Sequence, residues 1–386
     1  MDRRFAALVI ATALTAVACG GSTGSAPSPS AATQGGDVPA ASAEAGGGAE
    51  PSEAAGGAEP SEAGGGAEPS EAAGGAEPSE GEDSGSASGA VRTLEGVQQA
   101  TIQIEAEGSF IDPVEGQLFN AAGRGSGVII DPSGLALTAN HVVTGAATLK
   151  IWIGGDRNKT YNARVVATSE CSDLAVIQIA ESDLPYLEWY ADDPGVGLDV
   201  YAAGFPLGDP EYTLNRGIVS KAKADGESSW SSVDAVIEHD ALINPGNSGG
   251  PLVTKDALLV GINYAGNDVG QSFAIGKGEV DRVLPDLLAG KPVTWIGVNG
   301  QAISAGDFTG IWVAAVESGS PADTAGVRGG DIITKLEGLV LATDGTMADY
   351  CDVLRSRRST DTMAVEVLRT GTGAILEGQL NGRQLQ

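Results

Sequence analysis

Among 386 residues there are two histidines and three cysteines, and between Gly20 and Val91 there is neither lysine nor arginine. Each scarcity removes a class of chemistry. Two histidines, His141 and His239, with no CxxC pair leave no basis for a structural metal site, and no cofactor is expected. The formal charge of −29 argues against a nucleic-acid partner, because phosphate backbones are met by basic surfaces. The one N-terminal apolar run, Phe5 to Ala18, is too short for a membrane-spanning helix, which needs about 20 residues.

That run follows Arg3 and Arg4 and ends at Cys19-Gly20, so residues 1–18 read as a signal peptide. Small residues before Cys19 are similar to a bacterial lipobox, which makes Cys19 the expected lipidation site. A plain secretory signal cut near Ala18 is the alternative. Residues 19–92 then form a tether. Twelve acids punctuate Gly, Ala, Ser and Pro from Gly20 to Val91, and AEPSEA(A/G)GG repeats with a nine-residue period over 49–80. Such a unit offers only alanine to bury and cannot offset its own ordering entropy. It therefore reads as a disordered, charged spacer holding the rest of the chain away from a membrane.

The remaining residues, about 290, suffice for two or three small cores. Short strands rich in Val, Ile and Thr recur between Gly, Asp, Asn and Pro turns from Thr101 to Ile275, a mainly β pattern suited to two β-barrels. KGEVDRVLPDLLAG places Val280, Val283, Leu284, Leu287 and Leu288 at helical spacing, as core-packing residues, with Gly290 as the C-terminal cap. Within the β region, Asn244 to Pro251 reads NPGNSGGP. Glycines on both sides of Ser248 allow a sharp turn that exposes its hydroxyl while amides converge behind it. His141 lies in TANHVV, and Asp173 follows 32 residues later at the mouth of the apolar strand in SDLAVIQI. An acid there fixes an imidazole tautomer, an imidazole accepts the serine proton, and the amides of Gly246 and Ser248 receive the negative oxygen. His239 sits nine residues before Ser248 on the strand leading into that loop, too near to fold back as a base, and no chemical role is assigned to it.

The order His141, Asp173, Ser248 resembles that of chymotrypsin-like proteases. GSGVII before TANHVV, SDLAVIQI, GFPLG, RGIVS and ALINPGNSGGPLV together resemble the HtrA/Deg family over roughly 97–384. The resemblance implies a trypsin-like serine protease domain over 93–290. In it His141 is the base, Asp173 the orienting acid, Ser248 the nucleophile, and Gly246, Asn247 and Ser248 the oxyanion loop. Asn247 stands where trypsin-like zymogens carry an aspartate that pairs with a freed N-terminus. Activation by cleavage is therefore not expected, and control by loop ordering is. Leu242, six residues before the nucleophile, and Ile243 beside it are the expected specificity pocket. They favour cleavage after Val, Ala or Ile, since a basic side chain would bury its charge unpaired. Cys171 departs from the family's usual small polar or acidic residue without touching the triad.

Residues 293–384 are similar to a small α+β PDZ domain of the HtrA type, through SPADTAGVRGGDIITKLEG. Trp295, Ile296, Gly297 and Val298 match the loop whose amides hold a peptide carboxylate; the alternative is a buried strand start. A peptide would add as a strand between Val298–Ile303 and a helix running through Leu354, with Ile296, Val298, Met347 and Leu354 lining the groove. Thr346-Met347-Ala348-Asp349 resembles a capping box for that helix. Cys171 and Cys351 fall in different domains and are expected as buried free thiols. The whole reads as a lipid-anchored, extracytoplasmic serine endopeptidase of the bacterial envelope that removes misfolded proteins and captures apolar C-termini. A homotrimer is the assembly the resemblance implies. A protease-fold sensing lipoprotein without catalysis is the alternative.

Overall fold

The structure, a computed structural model, describes residues 89–112, 116–267, 270–305 and 308–386. The signal segment, Cys19 and the repeats lie outside the described residues.

The first described residues already belong to the body of the protein. Val91 is nearly buried and its amide donates to the Tyr186 carbonyl, so this residue, expected in the tether, packs against the barrel. Helix α1 (Leu94–Ala100) follows, capped by Thr93, whose hydroxyl accepts from the Gly96 amide. Strands β1 (Thr101–Asp112), β2 (Gly116–Asp131), β3 (Leu135–Thr138), β4 (Ala146–Ile153), β5 (Tyr161–Ser169) and β6 (Leu174–Ile179) close into one barrel in the order β1-β2-β3-β6-β5-β4. Ile102, Ile104 and Ala106, on alternate positions of β1, are fully buried within it, as the two-residue period of a strand requires. The short helix α2 (Asn140–Val143) links β3 to β4.

A second barrel is built from β7 (Asp199–Gly204), β8 (Thr213–Glu227), β9 (Ser232–His239), β10 (Pro251–Val253), β11 (Leu259–Gly266) and β12 (Ser272–Gly276), in the order β10-β11-β12-β9-β8-β7. Val200, Ala202, Val219, Ile237 and Leu252 fill it. A larger apolar cluster runs between the barrels, through Val128, Leu174, Val253 and Ile262, and reaches α3 (Lys277–Leu288). On α3 Val280, Val283 and Leu287 are buried as expected, and Gly290 takes φ +72° just beyond the helix. Leu284 is only partly buried and Leu288 is 44% exposed, so two of the five expected core positions are peripheral. A 12-residue helix laid on a convex barrel buries one stripe, and these two fall at its margin.

The C-terminal unit is a six-stranded antiparallel sheet with two helices. Strands β13 (Val298–Ala305), β14 (Phe308–Val316), β15 (Asp331–Leu336), β17 (Met363–Arg369) and β18 (Ala374–Leu380) follow one another across it, and β16 (Leu339–Val340) pairs with β15. Helix α4 (Pro321–Ala325) has a Ser320 cap and Gly326 in the left-handed region at its end. Helix α5 (Ala348–Arg355) starts where the sequence places it, but without the capping box. The Thr346 hydroxyl accepts from the Ala348 amide, and the Thr346 amide donates to Asp344 rather than to Asp349. Asp344 lies two residues away in a tight turn and reaches that amide first. The last two residues also pack: the Leu385 amide donates to the Ala325 carbonyl and that of Gln386 to Glu377.

Candidate active site

Helix α2 presents His141 at the seam between the barrels, and the turn before β6 presents Asp173. The imidazole Nδ1 lies 2.7 Å from Asp173 Oδ2, while the His141 amide donates to Oδ1 at 2.9 Å. One carboxylate thus orients both the ring and the backbone that carries it. The Asn140 amide donates to the Asp173 carbonyl at 3.1 Å, and Asp173 adopts φ +46°, an uncommon conformation that these contacts over-determine. Burial draws the His141 pKa down, but the charge and hydrogen bond of Asp173 outweigh it, and the net shift is upward. Trp230 lies against the imidazole with ring centroids 4.9 Å apart.

Ser248 stands on the loop between β9 and β10. Gly246 has φ +101° and Gly249 φ +85°. A Cβ on Gly249 would sit 2.3 Å from both the Ser126 carbonyl oxygen and Thr138 Oγ1, so only glycine lets this loop press against the first barrel. Ser126, fully buried in β2, ties the loop down: its hydroxyl donates to the Gly246 carbonyl at 2.7 Å and its amide to the Ser248 carbonyl at 2.9 Å. Among the described residues the amides of Gly246 and Ser248 donate to no protein group. The Ser248 hydroxyl donates to the Tyr264 carbonyl at 3.3 Å. Asn247 is fully buried, and among the described residues neither of its side-chain polar atoms has a partner. Of the two expected pocket residues, Ile243 packs against the second-barrel core, and Leu242 is 59% exposed, at a rim rather than a floor.

His239 lies behind the serine loop. It is fully buried, and its Nε2 lies 3.1 Å from Asn263 Oδ1. The Asn263 carbonyl accepts from the Gly249 amide at 2.7 Å, and its side-chain amide donates to the Gly250 carbonyl. Burial pushes the His239 pKa down to about 4, which keeps the ring neutral.

The expected carboxylate loop does receive a carboxylate, and it comes from this chain. The amides of Ile296, Gly297 and Val298 donate to Glu170 Oε1 at 3.0, 2.7 and 2.9 Å. The Tyr350 hydroxyl, on α5, donates to Glu170 Oε2. Trp295 borders the loop and donates from its indole to Glu317 at 3.1 Å. One residue on, Cys171 is bonded to Cys351 in a disulfide with Cα atoms 5.7 Å apart. The expectation of two free thiols is therefore corrected: docking of the C-terminal unit brings residues 180 apart in sequence into bonding range. The expected groove is likewise occupied. Ile296, Val298, Met347 and Leu354 are all buried, the Ala302 amide of β13 donates to the Ser229 carbonyl, and the Met347 amide to that of Ser228. Glu170, Asn299, Ser126 and Trp230 were not legible as site residues. Each acts through a partner remote in sequence, and no local pattern encodes that.

Among the described residues no cluster of three or more His, Cys, Asp or Glu is placed to hold a metal, and no helix is long and apolar enough to cross a membrane.

Residues 125–262 match the trypsin-like peptidase domain and residues 312–366 the PDZ domain, which defines the class: a two-barrel peptidase fold followed by a peptide-recognition fold. The chain is 35% identical over 280 residues to the serine protease Do-like HtrA of Bacillus subtilis, a match covering 65% of this chain and 62% of that protein. It is 32% identical over 289 residues to the Do-like HtrA of Lactobacillus helveticus, covering 67% of this chain and 68% of the relative. A probable periplasmic serine endoprotease, DegP-like, of Chlamydia pneumoniae is 32% identical over 279 residues, 68% of this chain and 54% of the relative. The chain belongs to the HtrA/DegP serine protease family. It spans about three fifths of the length of the curated relatives it matches, from 54 to 68% in these three.

Proposed function

We propose that this protein is a serine endopeptidase that works outside the cytoplasm on unfolded or misfolded proteins. The observation that carries this reading is the 2.7 Å contact of His141 Nδ1 with Asp173 beside a serine loop whose Gly246 and Ser248 amides have no protein partner among the described residues. In this reading Asp173 holds the imidazole with Nε2 as acceptor. The Ser248 hydroxyl turns from the Tyr264 carbonyl to that nitrogen, gives up its proton and attacks the peptide carbonyl. The developing oxyanion is received by the Gly246 and Ser248 amides, with Asn247 shaping the turn. His141 then protonates the leaving amine, and water, deprotonated by the same ring, releases the acyl-enzyme. Ile243 and Leu242 favour small aliphatic residues before the cut bond.

The relatives' names, serine protease and periplasmic serine endoprotease, support both the activity and the location. Lipidation at Cys19 and the acidic repeat tether after it would hold the enzyme at the envelope surface; a Cys19→Ala chain leaving the membrane pellet is the outcome expected. The C-terminal domain reads apolar C-termini when its groove is open, and a homotrimer is the assembly proposed. Digestion of casein by a soluble fragment beginning at Gly89, beside Ser248→Ala, tests the activity. Fragments ending in Val, Ala or Ile with wild type, and intact casein with the variant, are expected. Intact casein with both would favour a sensing protein instead.

A further inference from the structure

We propose that Glu170 is the resident ligand of the C-terminal domain's carboxylate loop, and that this docking positions the catalytic turn ending at Asp173. The proposal rests on the assignment of Asp173 as the orienting acid. In the form described, a peptide C-terminus reaches the loop only by displacing Glu170.

The geometry is that of a bound carboxylate rather than of an incidental domain contact. Three successive amides converge on one oxygen at 2.7–3.0 Å, and the Tyr350 hydroxyl meets the other. Glu170 is 3% exposed and Tyr350 1%. A carboxylate withdrawn so far from water is held only when its oxygens are met by donors, and removing it would strand those donors. The rest of the groove is filled from the same side. Ala302 on the edge of β13 donates 2.9 Å to Ser229, so a strand-edge amide that an added peptide would pair with is already used.

What makes this docking matter for catalysis is its register. Four consecutive residues are anchored to four different partners. Glu170 goes to the carboxylate loop, Cys171 to Cys351, Ser172 to Glu279 on α3, and Asp173 to His141. The Asp173 amide also donates to the Glu170 carbonyl at 3.2 Å, closing the turn. A shift of the Glu170 backbone is therefore delivered to Asp173, whose φ of +46° leaves no relaxed conformation nearby. A second contact reaches the other catalytic element. Asn299, also in β13, donates to the His141 and Thr144 carbonyls at 3.0 and 3.1 Å. The C-terminal domain thus grips the acid's turn and the base's helix together, which makes Glu170 a positioning residue. The disulfide keeps this internal ligand at an effective concentration on the order of millimolar, which a free peptide must overcome.

The test uses the full chain and a fluorescein-labelled decapeptide ending in Val, with its C-terminally amidated twin. Oxidised wild type should bind the free-carboxylate peptide at least tenfold more weakly than Glu170→Ala combined with Cys171→Ser and Cys351→Ser, and only the variant should discriminate against the amide. Equal binding by both proteins overturns the occupancy. On a fluorogenic peptide with Val before the cut bond, Glu170→Ala alone should lower kcat at least tenfold with KM within twofold, and Glu170→Gln, which keeps an acceptor for the amides, should restore most of it. Tyr350→Phe removes one donor without emptying the loop, and should lower kcat by a smaller factor if Glu170→Ala does not fold. Unchanged kcat in both Glu170→Ala and Tyr350→Phe overturns the positioning. Asp173→Asn separates the two failures: if it too keeps full turnover, the triad assignment is wrong, and if only the Glu170 variants are silent, the positioning claim alone falls.

Discussion

The serine loop and the acid's turn meet at one site but are held in place by different means. The loop from Asn244 to Pro251 is shaped by its own glycines and tied to its own fold, through Ser126 from one barrel and Asn263 from the other. The turn from Glu170 to Asp173 has no glycine, and two of its four side chains are fixed by a separate domain. A loop built on backbone freedom is specified locally, whereas a turn built on side-chain anchors is specified by whatever docks against it. The nucleophile should therefore tolerate changes in the C-terminal domain that the acid does not.

The largest effects test whether the two segments serve one reaction. Ser248→Ala should reduce turnover by at least about 10⁴-fold and abolish fluorophosphonate labelling, and Asp173→Asn should lower kcat by about 10⁴-fold through the wrong imidazole tautomer. Labelling that survives in Ser248→Ala would sink the nucleophile assignment.

Next comes the loop's dependence on its backbone. In Gly249→Ala the new Cβ meets oxygens 2.3 Å away at φ +85°, so the oxyanion amides shift and kcat should fall about 10²–10³-fold. Near-normal turnover, measured on the fluorogenic peptide, would show that the loop accommodates side chains and is not shaped by its glycines.

A smaller effect distinguishes the two segments by pH. His239 supports the serine loop from behind, with a pKa near 4 in the fold against about 6.5 when unfolded. Its contribution is present above pH 6.5 and is lost as pH falls through 4, amounting to about 3 kcal/mol. Burial pushes Glu170 the other way, up to about 7, so its contribution is present below about 4.5 and is lost as pH rises through 7. Urea titrations from pH 4 to 7 should show stability of His239→Gln rising less with pH than wild type. Parallel curves would mean that folding leaves the His239 pKa where it is in the unfolded chain.

The smallest shift concerns the base itself. Because Asp173 holds its pKa above the usual 6.5, the acid limb of kcat/KM should fall at a pH above that value. An acid limb below 6.5 would show that burial wins over the carboxylate.

Much of this was legible beforehand because it is encoded close along the chain. The short Val-, Ile- and Thr-rich strands from Thr101, the NPGNSGGP loop and the helix of α3 each reflect a local rule of backbone geometry, and each appears where the sequence places it. What could not be read locally are pairings that exist only once the domains have docked. Cys171 and Cys351 bond because packing brings their Cα atoms to 5.7 Å, although nothing in either neighbourhood encodes the other. The contact of His239 with Asn263 likewise appears only when β9 and β11 are folded together. The sequence alone determined that a serine, a histidine and an aspartate stand in protease order, and its Trp295–Val298 run resembles a carboxylate loop. Only the tertiary structure decided which carboxylate fills that loop, because an acid's partner is set by the donors that reach it in space, not by its neighbours in the chain.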